Sequence, residues 1–184
     1  MIYPEKQIKL KDNRTAILRS VQLQDAALMI EYMRVTAAET PYLLREPEEI
    51  TIFLEGEERI LTSMIESPRN LMLTAWVDGR HAGNASISAQ GGKMRLLHRC
   101  NMGIALYREF WGLGLGGQMI SILFEEAKKC GYEQMELGVI AGNEKAIALY
   151  ENLGFETYGT LKRAMKYKDG SYADEILMVK DLRV

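Results

Sequence analysis

The chain has 184 residues and a mass of 20.9 kDa, a length that suits one domain with a full hydrophobic core. Apolar residues make up 47% and charged residues 26%, which is ordinary for a soluble globular protein. The net charge of -2 gives no electrostatic basis for binding nucleic acid or an anionic membrane. No apolar run approaches membrane-spanning length, so we expect a cytoplasmic protein without a nucleic-acid or membrane partner.

The two cysteines, Cys100 and Cys130, have apolar neighbours and lack the spacing of metal ligands. We expect both to be buried free thiols in a reducing compartment, and we predict no metal site.

The first third of the chain predicts short strands followed by two helices. Residues 8–19 form one or two strands broken by a turn at 11–13, and Asp25 caps the first helix. A loop runs from 33 to 47, and the second helix begins by Thr51 and reaches Ile65. The charged residues of this helix predict a solvent-exposed face, which a cationic substrate could also use: Glu55, Glu57, Glu58 and Arg59.

Three strands are predicted next. Residues 71–77 and 82–89 flank Asp78-Gly79, a strong hairpin signal. A long strand follows over 94–106, where apolar and polar residues alternate. His98 shares the apolar phase, which favours a core histidine over a catalytic one.

The remaining elements alternate between helix and strand. They are a helix over 114–130 closed by Gly131, a strand over 134–139, a helix from Asn143 to Asn152, and a hairpin of 155–167 with 172–179. This order predicts an α+β fold, a mixed sheet layered with helices.

A glycine-rich turn at 112–117 joins an apolar strand to the predicted helix. A turn of this kind exposes backbone N–H groups at the positive end of a helix dipole and can bind a pyrophosphate. The same glycines could instead allow close packing of helix on strand. A P-loop is excluded because Gly116-Gly117 is followed by Gln118, without lysine or hydroxyl. A dinucleotide-binding fold would need more βα units downstream.

Two motifs together resemble the GNAT (GCN5-related) superfamily of N-acetyltransferases. The family pattern Gln/Arg-x-x-Gly-x-Gly/Ala is matched from Trp111 to Gly116, and the downstream pattern by Asn143, Ala146, Leu149-Tyr150 and Gly154-Phe155. The resemblance covers about Ile104 to Phe155. It implies the GNAT acyl-CoA N-acyltransferase fold over 1–184 as a single domain: a mixed central sheet with splayed strands, flanked by about four helices.

The resemblance also implies a site for acetyl-CoA as cosubstrate. The backbone of Ile104, Ala105 and Leu106 would hold pantetheine, and Asn143 would contact CoA as well as cap its helix. The pyrophosphate would rest on Gly112, Leu113, Gly114, Leu115, Gly116 and Gly117. The family transfers the acetyl group directly, and Tyr150 stands where the family has its general acid. Tyr150 can also be interpreted as a core residue of a short helix.

The general base is left open by two departures from the family. Relatives place carboxylates where this chain has Gly138 and Asn101. Glu136 shares the strand phase of Gly138, but an exposed strand residue is the preferred interpretation, with water relaying the proton. Arg108 and Glu109 are expected in solvent. Trp111 replaces the usual Gln or Arg and removes one polar anchor.

The resemblance also implies a small-molecule or peptide amine as the acceptor, which would enter opposite CoA between the loop at 39–46 and the closing hairpin. The acidic residues Glu39, Glu46, Glu48 and Glu49 favour a cationic amine such as a polyamine, an aminoglycoside or a protein N-terminus, or they form a solvated loop. Tyr172 and Asp174 are further candidates, and a homodimer through the last strands is possible by family analogy. The alternatives are a catalytically idle acyl-CoA-binding regulatory module and a nucleotide-binding α/β protein.

Overall fold

The computed structural model describes residues 1–183. Four helices and eight strands alternate along them in the predicted order. The elements are β1 (Lys6–Lys9), β2 (Thr15–Ser20), α1 (Ala26–Glu39), α2 (Leu54–Glu66), β3 (Leu71–Val77), β4 (Arg80–Ala89), β5 (Arg99–Leu106), α3 (Leu115–Lys129), β6 (Gln134–Ile140), α4 (Glu144–Asn152), β7 (Glu156–Lys166) and β8 (Tyr172–Asp181).

The eight strands form one sheet in the order β1-β2-β3-β4-β5-β6-β8-β7. Neighbouring strands are antiparallel except β5 and β6, which are parallel. Helices α3 and α4 pack on one face, and α1 and α2 pack on the other. The predicted mixed α+β sheet with four flanking helices is therefore confirmed.

The larger core lies under α3. Met119, Ile120, Leu123 and Ala127 recur at helical spacing, so they form one apolar stripe, and each is completely buried. The smaller core joins α1 to α2 through side chains that include Met29, Tyr32 and Leu61. The sheet thus separates two helical layers, and any opening between its strands connects them.

The prediction of a long strand from residue 94 is wrong at its start. Residues 94–96 form a 3-10 turn, Met94 is 88% exposed, and β5 begins only at Arg99. His98 is half-buried rather than part of the core, and its carbonyl accepts the N–H groups of Glu133 and Gln134. Alternating apolar residues in an irregular loop mimic the period of a strand, which explains the error.

The cysteines differ from each other in burial. Cys100 is fully buried, and burial raises the pKa of its thiol to about 12. Cys130 is also a free thiol, but it is only half-buried, so the expectation of burial is wrong in degree there. Across residues 1–183, the helices lack the length and apolar content needed to cross a membrane.

The parallel pair β5 and β6 opens partway along its length. Only three residue pairs join them: Arg99 with Gln134, Cys100 with Met135, and Asn101 with Glu136. Beyond this point β5 continues along β4 as far as Leu106, and β6 continues along β8 as far as Ile140. The splayed strands expected from the resemblance are therefore present, and a gap opens between them.

Glu136 lies at the last register before the strands part. Its side chain is only 7% exposed, and Arg99 holds it with two hydrogen bonds of 2.5 and 2.7 Å. The preferred interpretation of Glu136 as an exposed strand residue is thus wrong. The bidentate pair ties β6 to β5 where their backbone ladder ends.

We expect Glu136→Gln to lower the free energy of unfolding by about 2 kcal/mol, because the half-buried Arg99 loses its charged partner. Urea unfolding measures this, with the exposed Glu133→Gln as the control that leaves stability unchanged. Equal stability of the two variants would show that the ion pair contributes nothing.

Candidate active site

The gap between β5 and β6 opens into a cavity of about 760 Å³. The cavity touches both helical layers, since α1, α2, α3 and α4 all contribute to its wall. The predicted cosubstrate residues that line it are Ile104, Ala105, Leu106, Gly112, Gly114, Leu115, Gly116, Gly117 and Asn143, together with Tyr150. Of the predicted set, only Leu113 lies outside this wall. One concavity therefore gathers residues from two distant motifs.

The glycine turn has a conformation that suits anion binding. Gly112 and Gly114 have φ values of 78° and 80°, in the left-handed region that favours glycine. Helix α3 begins after Gly114, and the first hydrogen bond back to that residue comes from the N–H of Gln118 at 3.3 Å. The N–H groups of the helix's first turn thus lack helical acceptors, as at every helix start, and add to the positive end of the dipole.

Gly116 lines the cavity and lies close to the side chains of Leu149 and Ile104. A Cβ there would lie 3.5 Å from Leu149 and 3.6 Å from Ile104, which is ordinary van der Waals contact. The fold itself therefore does not require glycine at this position. The N–H of Gly116 belongs to the first turn of α3, so this residue offers the cavity a backbone donor of the kind that binds a pyrophosphate.

Lys11 adds a cation that sequence reasoning missed. It comes from the turn after β1, and its side chain passes within 3.4 Å of where a Cβ of Gly114 would lie. Two hydrogen bonds fix this turn to the glycine loop: Lys11 N–H to Leu113 carbonyl at 3.1 Å and Gln118 Nε2 to Lys9 carbonyl at 2.9 Å. Nothing in the local sequence indicates the contact, because it joins segments about a hundred residues apart.

Two carbonyls near the end of β5 accept side-chain hydrogen bonds. The Ala105 carbonyl, on the side of β5 that faces β4, accepts the Tyr32 hydroxyl at 2.8 Å, and the Leu106 carbonyl, on the open side, accepts the Trp111 indole N–H at 2.8 Å. Trp111, which departs from the family pattern, thus anchors the glycine loop to the end of β5. Ile104 lies beside these residues on the stretch that has no β6 partner.

Helix α4 supplies the other wall. Asn143 caps it, with its side-chain oxygen accepting the Ala146 N–H at 3.4 Å, as predicted. Tyr150 is 8% exposed, and its ring packs edge-on against Phe155. Burial raises the pKa of the Tyr150 phenol to about 12, so the hydroxyl keeps its proton at neutral pH. Within the described chain, no hydrogen bond to that hydroxyl is formed.

The acidic loop is already paired within the protein. Glu39 accepts the Arg108 N–H at 2.7 Å, Glu49 accepts the Glu46 N–H at 2.8 Å, and Lys168 bridges Glu46 and Glu48. These contacts favour the interpretation of a solvated, structural loop over that of a loop that binds a cationic acceptor.

The closing hairpin forms a second, shallower groove against this loop. Tyr172 and Asp174 line the groove, but Asp174 already pairs with Lys162 at 2.7 Å. Tyr42 lines both concavities, and its hydroxyl donates to the Gly142 carbonyl at 2.9 Å. The groove therefore leads from the hairpin towards the main cavity.

Two glutamates, Glu57 and Glu175, lie in places that were not predicted from the sequence. Glu57, assigned to a solvated face of α2, is 4% exposed and lines the cavity. Glu175 of β8 fills the space beside Gly138, where its carboxylate occupies the position that a Cβ would take. The strand position that carries a carboxylate in relatives is thus covered by one from the neighbouring strand. Exposed Glu109 pairs with Arg80.

Comparison with known proteins gives a consistent result. The model of the acetyltransferase (GNAT) family matches residues 34–155, more than half of the chain. The crystal structure of a GNAT-family acetyltransferase from Streptococcus pneumoniae is 26% identical, with a TM-score of 0.85 over 90% of this chain and 99% of that one.

Two more distant structures share the fold. The yncA protein of Salmonella typhimurium, solved with its cofactor acetyl-CoA, is 21% identical, with a TM-score of 0.78 over 90% of this chain and 92% of that one. The ribosomal-protein-alanine N-acetyltransferase of Brucella melitensis is 24% identical, with a TM-score of 0.78 over 89% of this chain and 98% of that one. With the family model matching both motifs of the cavity wall, the chain belongs to the GNAT acetyltransferase family.

Proposed function

We propose that the protein is an N-acetyltransferase that moves the acetyl group of acetyl-CoA to a primary amine in a ternary complex, with 1–184 as one domain. The observation that carries the proposal is the cavity where two parting strands meet the bare amides of the glycine loop. An extended ligand with amides and a pyrophosphate fits both parts of this cavity. A nucleotide lacks the long amide-bearing arm that would fill the gap.

The residues present suit the cosubstrate. The unpaired stretch of β5 around Ile104 would bind the pantetheine amides as a substitute strand. The amides of Leu115, Gly116 and Gly117 would hold the pyrophosphate, and Lys11 would add a positive charge beside them. Acetyl-CoA itself supplies the activated thioester.

Transfer requires the nitrogen to lose protons and the sulfur to gain one. Tyr150 is the donor that we propose for the sulfur, since its pKa of about 12 keeps the phenol protonated and no internal acceptor within the described residues holds its hydrogen. Deprotonation of the amine would proceed through water, because Gly138 and Asn101 provide no carboxylate. The oligomeric state stays a prediction by analogy.

An idle acyl-CoA-binding module remains the second candidate, favoured by those same two missing carboxylates. Both candidates require CoA binding, but only the enzyme releases CoA thiol with amines. CoA at a hundred times its Kd should raise stability by about 2.7 kcal/mol, whereas ATP should have much less effect. Stabilisation without thiol release across an amine panel would support the idle module.

We expect Gly116→Val to raise the acetyl-CoA KM at least tenfold, about 1.4 kcal/mol, because a valine on this part of the cavity wall would crowd the amides proposed for the pyrophosphate. Steady-state kinetics at saturating acceptor measures this. Gly92→Val is the matched control, as a Cβ at Gly92 meets nothing within 4 Å and KM should not change. An unchanged KM in folded Gly116→Val would contradict the phosphate site.

We expect Tyr150→Phe to lower kcat about a hundredfold or more, because the leaving sulfur loses its proton donor, while CoA binding stays nearly the same. Calorimetry gives the CoA Kd, and thiol release gives kcat. Tyr132→Phe is the control, since Tyr132 is similarly buried but donates to the Arg69 carbonyl away from the cavity. Full activity of Tyr150→Phe would leave Tyr150 as a packing residue.

A further inference from the structure

Glu57 is a buried carboxylate that the proposed chemistry has not yet used. It lies on α2, is 4% exposed, and forms part of the cavity wall. Within residues 1–183 its carboxylate makes no hydrogen bond or ion pair. A largely buried carboxylate that has no ion pair is unfavourable, so the cavity space in front of Glu57 favours a cation.

The wall around Glu57 is otherwise neutral. Met29 and Met33 come from α1, Leu43 from the loop after it, and Met72 from β3. Thr36 and Ser86 add hydroxyl groups. We call this region, with Glu57, the acceptor half of the cavity. Its apolar side chains suit a small aliphatic body, and methionine adapts readily to different shapes.

Three charged side chains line the cavity within the described residues. Lys11 lies at the glycine loop, and Lys145 lies in the first turn of α4. Glu57 is the one carboxylate that lines the cavity within the described chain. Across residues 1–183, no cationic side chain lines the acceptor half. A carboxylate on the acceptor would therefore find no partner there.

We propose that Glu57 binds the ammonium group of the acceptor, and that the acceptor is a small primary amine with an apolar body, one positive charge and no carboxylate. The inference rests on the proposed acetyl transfer and names its substrate class. It also explains why the acidic loop need not bind the substrate, since each of its carboxylates already has a partner.

The affinity for the acceptor amine should depend on pH in a defined direction. Burial raises the pKa of Glu57 above its usual 4.5, and Arg45 in the loop partly opposes this. The other ionisable groups facing the acceptor half are the phenols Tyr32 of α1 and Tyr42 of the loop; β3, β4 and β5 present none there within the described chain. Protonation of Glu57 removes the ion pair while the amine keeps its charge. The affinity for the amine should therefore fall as the pH drops through this raised pKa.

The first test needs no variant. Pentylamine and 5-aminopentanoate have the same chain and the same amine, but the second ends in a carboxylate. With wild-type protein and acetyl-CoA, we expect kcat/KM for thiol release to be at least tenfold higher with pentylamine. Equal rates, or a preference for 5-aminopentanoate, would overturn the assigned substrate class.

The second test uses matched glutamine variants. Glu57→Gln should raise the pentylamine KM at least tenfold and leave the acetyl-CoA KM unchanged. Glu55→Gln makes the same charge change on the exposed side of α2 and should have no effect. Glu175→Gln tests the carboxylate beside Gly138. An unchanged pentylamine KM in Glu57→Gln, or the whole effect in Glu175→Gln, would refute the role of Glu57.

Binding alone separates this inference from the proposed function. Calorimetry should detect pentylammonium binding to the wild-type protein in the presence of CoA, and at least a tenfold weaker Kd in Glu57→Gln. This measurement reports on Glu57 even if thiol release is absent, a result that would remove only the enzymatic proposal. Wild-type protein that fails to bind pentylammonium would overturn the inference, and a thermal melt of Glu57→Gln shows whether the variant is folded.

Discussion

The structure depends on how β5 and β6 pair with their neighbouring strands. Each strand has a full antiparallel ladder on its outer side, with β4 for one and β8 for the other, and only three pairs with each other. Antiparallel ladders with complete pairing outweigh a short parallel one, so each strand follows its outer partner. The sheet therefore opens at Asn101 and Glu136, and the ion pair Arg99–Glu136 closes the ladder at that point.

An open sheet carries a cost that a ligand can remove. Backbone groups that face the gap have no strand partner, and buried unpaired amides are unfavourable. Part of the edge is satisfied internally, since the Leu106 carbonyl accepts the Trp111 indole N–H. The remainder, near Ile104, meets the first turn of α3, whose amides also lack acceptors. Two sets of unpaired donors in one cavity favour a ligand that has both amides and phosphates.

Local sequence was sufficient wherever the structure depends on local interactions. The apolar stripe of α3, the cap at Asn143 and the hairpin at Asp78-Gly79 follow from spacing and turn chemistry, and all are present. The glycine turn was visible for the same reason. Residues 94–98 show the limit of this reasoning, because a pattern of period two does not require a strand partner, and the structure supplies none before Arg99.

The residues that sequence reasoning missed are those placed by distant contacts. Lys11 reaches the glycine loop only because β1 lies over the start of α3, and Glu175 covers Gly138 only because β8 pairs with β6. Glu57 was named from the sequence only as one of four charged residues on a solvent-exposed face that a cationic substrate could also use. Its neighbours in sequence are charged, which indicates solvent, yet a charged stretch cannot distinguish a helix face in bulk water from one that borders a cavity. A largely buried carboxylate among methionines is unfavourable without a close cation, and the protein gives Glu57 only an electrostatic attraction to Arg45 and no ion pair. Lys11 beside the glycine loop and Glu57 on α2 place opposite charges on the wall of one cavity, which is expected for a site that holds an anionic donor and a cationic acceptor together.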